Sequence, residues 1–139
     1  MKRRDTIFDR LALKEKMFIN QEMQNLGALH SELKKIEDMR QKLSDMAADS
    51  APKIQEQTVF FLRSSAELSN QIRDQLETAV NRSDHLNDEL KFLRHKIALS
   101  DRRREKSAGK AKQIRRTDRD LSEARREDDD ASRRKYNPR

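Results

Sequence analysis

Helical periodicity through the first hundred residues is the feature that most constrains this chain. Apolar side chains recur three or four residues apart on both sides of Pro52, the only proline before Pro138. Such spacing is typical of helices that pack along one stripe. With only two glycines and two prolines, there is little from which turns between strands could be built, which disfavours all-β and α/β folds. The pattern therefore predicts long helices.

The stretch between the two periodic segments predicts a hinge. Ser50 can cap a helix, and Pro52 fits in its first turn, where a missing N–H costs nothing. We predict a helix over 5–47, a turn over 48–52 and a second helix over 53–104. The second helix folds back on the first, which gives an all-α, antiparallel two-helix coiled coil.

The seam of each helix can be read from its heptads. In the first helix the seam consists of Phe8, Ala12, Glu15, Ile19, Glu22, Leu26, Leu29, Leu33, Ile36, Arg40, Leu43 and Ala47. In the second helix it consists of Leu62, Ser65, Ser69, Ile72, Leu76, Ala79, Ser83, Leu86, Leu90, Leu93, Ile97 and Ser100. Three charges and four serines make this seam unusually polar, which predicts moderate stability.

The register follows from pairing these two seams. Antiparallel helices joined by a short loop place residues i and j side by side when i + j is constant. A sum near 105 pairs Leu29 with Leu76 and Phe8 with Ile97. In this register the start of the first helix lies opposite about Arg104. The register therefore predicts that the rest of the chain has no partner within the hairpin.

Residues 105–139 are predicted to form a basic extension. The apolar stripe continues there as Ala111, Ile114 and Leu121, but it is thin, and Gly109 weakens the helix. From residue 101 onward there are 15 Lys/Arg against 9 Asp/Glu, so this quarter holds most of the formal charge of +7. We expect a fraying, partly unpaired helix, and a disordered basic tail from about Asp128.

Catalysis and metal binding are disfavoured by the residue types present. The chain has no cysteine, and its three histidines lack the spacing of a metal site. No nucleophile elbow or phosphate loop is present, and two packed helices offer no pocket that would desolvate a nucleophile. No apolar run is long enough to span a membrane. We predict a cytoplasmic protein that is not an enzyme and has no cofactor.

Two surfaces are candidates for binding another protein. One is the stripe of Ala111, Ile114 and Leu121, which is flanked by three arginines, Arg115, Arg116 and Arg119. The other is the pair Phe60 and Phe61, which either cover the end of the hairpin or leave one ring exposed for a partner. The basic stripe is open to three interpretations: a solvated mixed-charge helix, a docking site for an acidic protein surface, or a nucleic-acid arm. Interspersed acids and the absence of aromatic residues argue against nucleic acid.

The layout resembles the FliJ proteins of bacterial flagellar type III export and their injectisome relatives. It has an early leucine-and-charge segment over 10–16, a turn before mid-chain, and a longer second helix that continues through 103–108 and 120–126 to a basic tail. The early turn and the serine-rich second seam depart from that family's pattern. No individual binding residue is carried over from the family.

This resemblance implies a soluble component of the export apparatus. Its expected partners are the hexameric export ATPase, in whose central hole it would act as a stalk, the membrane export gate and export chaperones. The resemblance also implies peripheral association with the inner membrane through these partners. We expect a monomer when the protein is free. The alternatives are a nucleic-acid-binding coiled coil and a structural coiled coil whose seam pairs between chains.

Overall fold

The computed structural model describes residues 5–49 and 58–136, and there the chain forms two helices and no strand. Helix α1 runs Ile7–Asp49 and helix α2 runs Val59–Tyr136. They pack against each other in opposite directions, so the predicted all-α helical hairpin is confirmed. The predicted turn lies mostly outside the described residues, because 50–57, with Ser50 and Pro52, are not among them.

A threonine caps the start of each helix. At α1, the Thr6 hydroxyl accepts from the Asp9 backbone N–H at 3.2 Å, and the Asp9 carboxylate accepts from the Thr6 N–H at 2.9 Å. This reciprocal arrangement is a capping box. At α2, the Thr58 hydroxyl accepts from the Phe61 N–H at 3.3 Å. Because Thr58 is the cap, the described helix α2 begins at Val59, and the start predicted at residue 53 lies outside the described residues.

The faces predicted for the seam are the faces that the structure buries. On α1, the buried and half-buried residues from Phe8 to Leu43 are predicted seam residues, including Glu15 and Glu22, except for Asp9 and Glu32. On α2 the same spacing runs from Ser65 to Ile114. Its fully or nearly buried members are Ile72, Ala79, Ser83, Leu86, Leu90, Ser100 and Ala111. Three predicted seam residues, Arg40, Ala47 and Leu62, are exposed.

The register differs from the prediction in the part of the hairpin formed by residues 22–96. Arg82 Nη2 donates to Glu32 Oε1 at 2.6 Å, and on the opposite flank Arg94 Nη2 lies 3.3 Å from His30 Nε2. These residue numbers sum to 114 and 124, so the seam between the two flanks pairs at a sum of about 119. The predicted sum of 105 is low by about two heptads, and Leu29 is not opposite Leu76.

The same error appears in the second part of the hairpin, which contains the described residues of 1–21 and 97–139. The Ser100 hydroxyl donates to Glu15, and Arg115 Nη2 lies 2.6 Å from Asp9 Oδ2. These pairs sum to 115 and 124. The segment after Arg104 therefore packs against α1, and the boundary predicted at residue 104 moves to about Arg115.

The end of α2 also differs from the prediction. The helix continues to Tyr136, so the disorder predicted from Asp128 is wrong for residues 128–136. Acids precede bases by four residues here, Asp129 before Arg133 and Asp130 before Arg134, which is the favourable order for helical pairs. The basic residues in the last turn also interact favourably with the helix dipole.

Candidate interaction surface at the C-terminal end of α2

The last part of α2 is a helix with no buried side chain. Every residue from Arg116 to Tyr136 is exposed, whereas Ala111 is fully buried and Ile114 and Arg115 are half-buried. We name residues 116–136 the C-terminal arm. The predicted unpaired extension therefore exists, but it begins about a dozen residues later than the register predicted.

An ion pair between α1 and α2 lies at the start of this arm. Asp9 accepts from the backbone and hydroxyl of Thr6 at 2.9 and 2.8 Å, and Arg115 reaches the same carboxylate oxygen. The two Thr6 hydrogen bonds and the Arg115 guanidinium hold the pKa of Asp9 below its ordinary value of 3.8. The carboxylate that caps α1 therefore also forms an ion pair with α2.

One turn earlier on α2, a cation lies over an aromatic ring. Lys110 Nζ is 5.4 Å from the centre of the Phe8 ring, and Ala111 beside it has no exposed surface. The lysine side chain of α2 thus packs over the aromatic ring of α1 beside the seam. Ala111 is thus a buried residue of the seam and is covered in the closed hairpin, whereas Ile114 is half-buried there and its docking role stays a prediction.

Apart from the half-buried Arg115, the other predicted binding residues are exposed. Arg116 and Arg119 are exposed, and the Leu121 side chain is 59% exposed. Phe60 and Phe61, which open α2, are 80% and 57% exposed. The two rings were predicted either to cover the end of the hairpin or to leave one ring exposed. The structure agrees with exposure, and both rings are exposed.

The formal charge of the protein is concentrated beside the arm. Residues 102–119 contain nine Lys/Arg and two Asp/Glu, a net +7 that equals the charge of the whole chain. A shallow depression lies on this stretch, lined by Ala108, Gly109, Lys112, Gln113, Arg115, Arg116 and Arg119. Residues 120–130 then contain six Asp/Glu and two Arg, a net −4. The surface is thus basic on one side of residue 119 and acidic on the other.

Sequence reasoning missed several of the residues that organise this surface. Thr6 and Asp9 carry a recognisable signal, because Thr-x-x-Asp before an apolar run is a capping-box pattern. Lys112, Glu123 and Glu127 carry no signal until the buried face of α2 is known, because only then is their common exposed face defined.

No family model, curated protein or solved structure matches this chain. Within residues 5–49 and 58–136, neither helix has a segment long and apolar enough to cross a membrane. The same described residues hold no group of three His, Asp or Glu side chains placed to share a metal ion.

Proposed function

We propose that this protein is a non-catalytic binding component whose C-terminal arm and adjoining basic residues dock on an acidic protein surface. The observation that carries the proposal is the contrast along α2. Buried side chains recur along α2 as far as Ala111, whereas from Arg116 to Tyr136 every side chain is exposed on a helix. A helix that is polar all round gains little from folding by itself, and a partner that it contacts is one reason for a chain to keep it.

The partner that we propose is the export ATPase of a type III secretion system. The support is the resemblance in layout to FliJ proteins, together with a two-helix hairpin whose second helix, at 78 residues, is longer than the first, at 43. In this proposal the hairpin acts as the stalk in the ATPase ring, contacts the export gate and export chaperones, and associates with the inner membrane only through these partners. Basic groups steer the arm towards acidic groups, which raises the association rate more than the affinity.

The test is binding of the purified protein to a purified export ATPase hexamer, followed by fluorescence anisotropy. Replacing Arg116 and Arg119 with Ser should weaken binding at least about tenfold and leave the melting of the hairpin unchanged, because both side chains are exposed. Replacing Ile114 with Ser is the matched control, which should lower the melting temperature. Equal binding by the arginine variant and the wild type would contradict the proposal.

A second candidate function is nucleic-acid binding, which the nine cations of residues 102–119 favour. Binding to duplex DNA with a steep dependence on salt, combined with no affinity for an export ATPase, would select it. The acidic stretch 120–130 on the same helix opposes this candidate, because it would repel phosphates next to the basic stretch.

A further inference from the structure

The exposed face of α2 between residues 105 and 134 carries an ordered arrangement of charge. At 3.6 residues per turn, Lys112, Arg116 and Arg119 lie on the side of the helix opposite the buried Ala111, and Glu123 and Glu127 continue the same side. All five side chains are exposed. Asp120 lies at the point where the sign of the charge changes.

The charges on this face are complementary to those on an identical face of a helix that runs in the opposite direction. We propose that two copies of this chain associate through it, with their α2 helices antiparallel about a two-fold axis between Arg119 and Asp120. Lys112 then faces Glu127 of the second copy, and Arg116 faces Glu123. Each pair occurs twice because a two-fold interface uses the same patch on both subunits.

One further pair of opposite charges lies at the ends of the face, and there the acid is on the basic side and the base is on the acidic side. The same register places Glu105 opposite Arg134 of the second copy, so an acid on the basic side meets a base on the acidic side. Three independent pairs of opposite charge therefore share one register. All of these residues are exposed and lie on the helical part of the chain.

Small residues allow the two helices to approach each other. Ala108 and Gly109 line the depression on the basic side, and a Cβ placed on Gly109 would meet nothing within 4 Å. The distance between packed helices depends on the side chains at the contact, so small residues here bring the flanking charges into reach.

Other arrangements of the same two helices oppose like charges. A parallel pair in register places every charge against itself. A slip of one heptad in one direction sets Arg116 against Arg116, and a slip in the other direction sets Glu123 against Glu123. Like charges placed side by side on helices are destabilising, so the pattern selects one register.

A second copy fits this face better than a uniformly charged partner does. A polyanion would be attracted to residues 102–119, where the net charge is +7, but repelled by residues 120–130, where it is −4. A partner has to present the same two blocks in reverse order, and α2 itself is such a partner. This inference does not depend on the export ATPase proposed above.

Association through this face should be weak and sensitive to salt, because exposed ion pairs contribute little and no apolar seam supports them. The first test is sedimentation velocity of the full chain in about 0.1 M and about 1 M salt, between which the Debye length falls from about 10 Å to about 3 Å. We expect dimers at low salt and monomers at high salt. A monomer at low salt would overturn the proposal, as would a dimer that persists unchanged in high salt, which would indicate exchange of the hairpin seam.

Two charge-reversal variants make the test specific. One carries Lys112→Glu, Arg116→Glu and Arg119→Glu, and the other carries Asp120→Lys, Glu123→Lys and Glu127→Lys. Each variant by itself opposes like charges in every central pair, so its dissociation constant should rise at least about tenfold. An equimolar mixture restores every central pair, and it should form the dimer again. Self-association of either variant at the wild-type level, or no association in the mixture, would disprove the interface.

A control variant separates this face from the helix as a whole. Asp118→Lys combined with Arg125→Glu reverses two charges on the opposite side of α2 and leaves the net charge unchanged, so the dimer should persist. Loss of the dimer in this control would contradict the assigned face. Circular dichroism should show wild-type helicity and melting for all variants, because the altered side chains are exposed. A wild-type monomer that instead binds duplex DNA through Lys112, Arg116 and Arg119 would assign the face to a nucleic acid.

Discussion

At the scale of single residues, Asp9 shows how one side chain serves both local and tertiary structure. Its carboxylate completes the capping box of α1 and also accepts from Arg115 on α2, 106 positions further along the chain. The cap is a local feature that the Thr-x-x-Asp pattern encodes. The arginine contact depends on the register and is not visible in the sequence.

The pKa of Asp9 is the measurable consequence. Because the Thr6 hydrogen bonds are a larger cause than Arg115, the Arg115→Gln variant should raise the pKa of Asp9 but leave it below the ordinary value of 3.8. A carboxyl whose pKa is lowered in the folded state stabilises that state above its unfolded pKa. This contribution is lost as the pH falls through the lowered value. Carbon NMR titration of the Asp9 carboxyl would show this, and a full return to 3.8 in the variant would contradict the ranking of causes.

Burial decides the effect of leucine substitutions. Leu86 is fully buried in the seam, whereas Leu121 on the C-terminal arm is 59% exposed. Leu86→Ala should lower the free energy of unfolding by about 2–5 kcal/mol, because it removes packed methyl groups and leaves a cavity. Leu121→Ala is the matched control and should change it by less than about 0.5 kcal/mol. Urea unfolding followed by circular dichroism measures both, and similar losses in the two variants would contradict the structure.

At the scale of the helices, the seam and the register have different origins. The heptad spacing defines which face of each helix is buried, and this prediction from sequence was correct for nearly every position from Phe8 to Ile114. The heptad spacing of the seam residues is unbroken in both helices. When one helix slides by seven residues, its seam therefore again faces the seam of the other helix. Apolar periodicity by itself therefore cannot select among registers that differ by a heptad.

Engineered disulfides distinguish the two registers within residues 22–96. Cys at positions 29 and 90 matches the sum of about 119, whereas Cys at 29 and 76 matches the predicted sum of 105. Residues 76 and 90 are about 21 Å apart along α2, far more than a disulfide can span. We expect the Leu29→Cys, Leu90→Cys variant to oxidise to an intramolecular disulfide and the Leu29→Cys, Leu76→Cys variant to remain reduced. The chain has no native cysteine to interfere, and non-reducing electrophoresis reads the result. The opposite outcome would restore the predicted register.

At the scale of the whole chain, the packed part of α2 and the C-terminal arm occupy different stretches of sequence. Among the described residues the contacts between the helices end at Arg115, and every side chain of the arm is exposed. The net charge is concentrated in residues 102–119. The arm is therefore available for binding without contributing to the stability of the hairpin.

Truncation tests this separation. A chain that ends at Arg116 should keep the free energy of unfolding of the full chain within about 0.5 kcal/mol, because none of the described side chains that it lacks, 117–136, is buried. Its helical circular dichroism should fall in proportion to the residues lost. A clear drop in stability would show that the arm packs against the rest of the molecule.

The sequence by itself determined that this chain is helical, which face of each helix is buried, and that a basic stretch lies near its C-terminal end. These properties depend on spacing and residue type, and they can be read locally. Only the tertiary structure decided which residues of α2 lie beside which residues of α1. It thereby assigned Ala111 and Ile114 to the seam and left Arg116, Arg119 and Leu121 exposed. The physical reason is that registers differing by one heptad match the two seams equally well. The register is therefore decided by contacts between residues distant in sequence, such as Glu32 with Arg82 and Asp9 with Arg115.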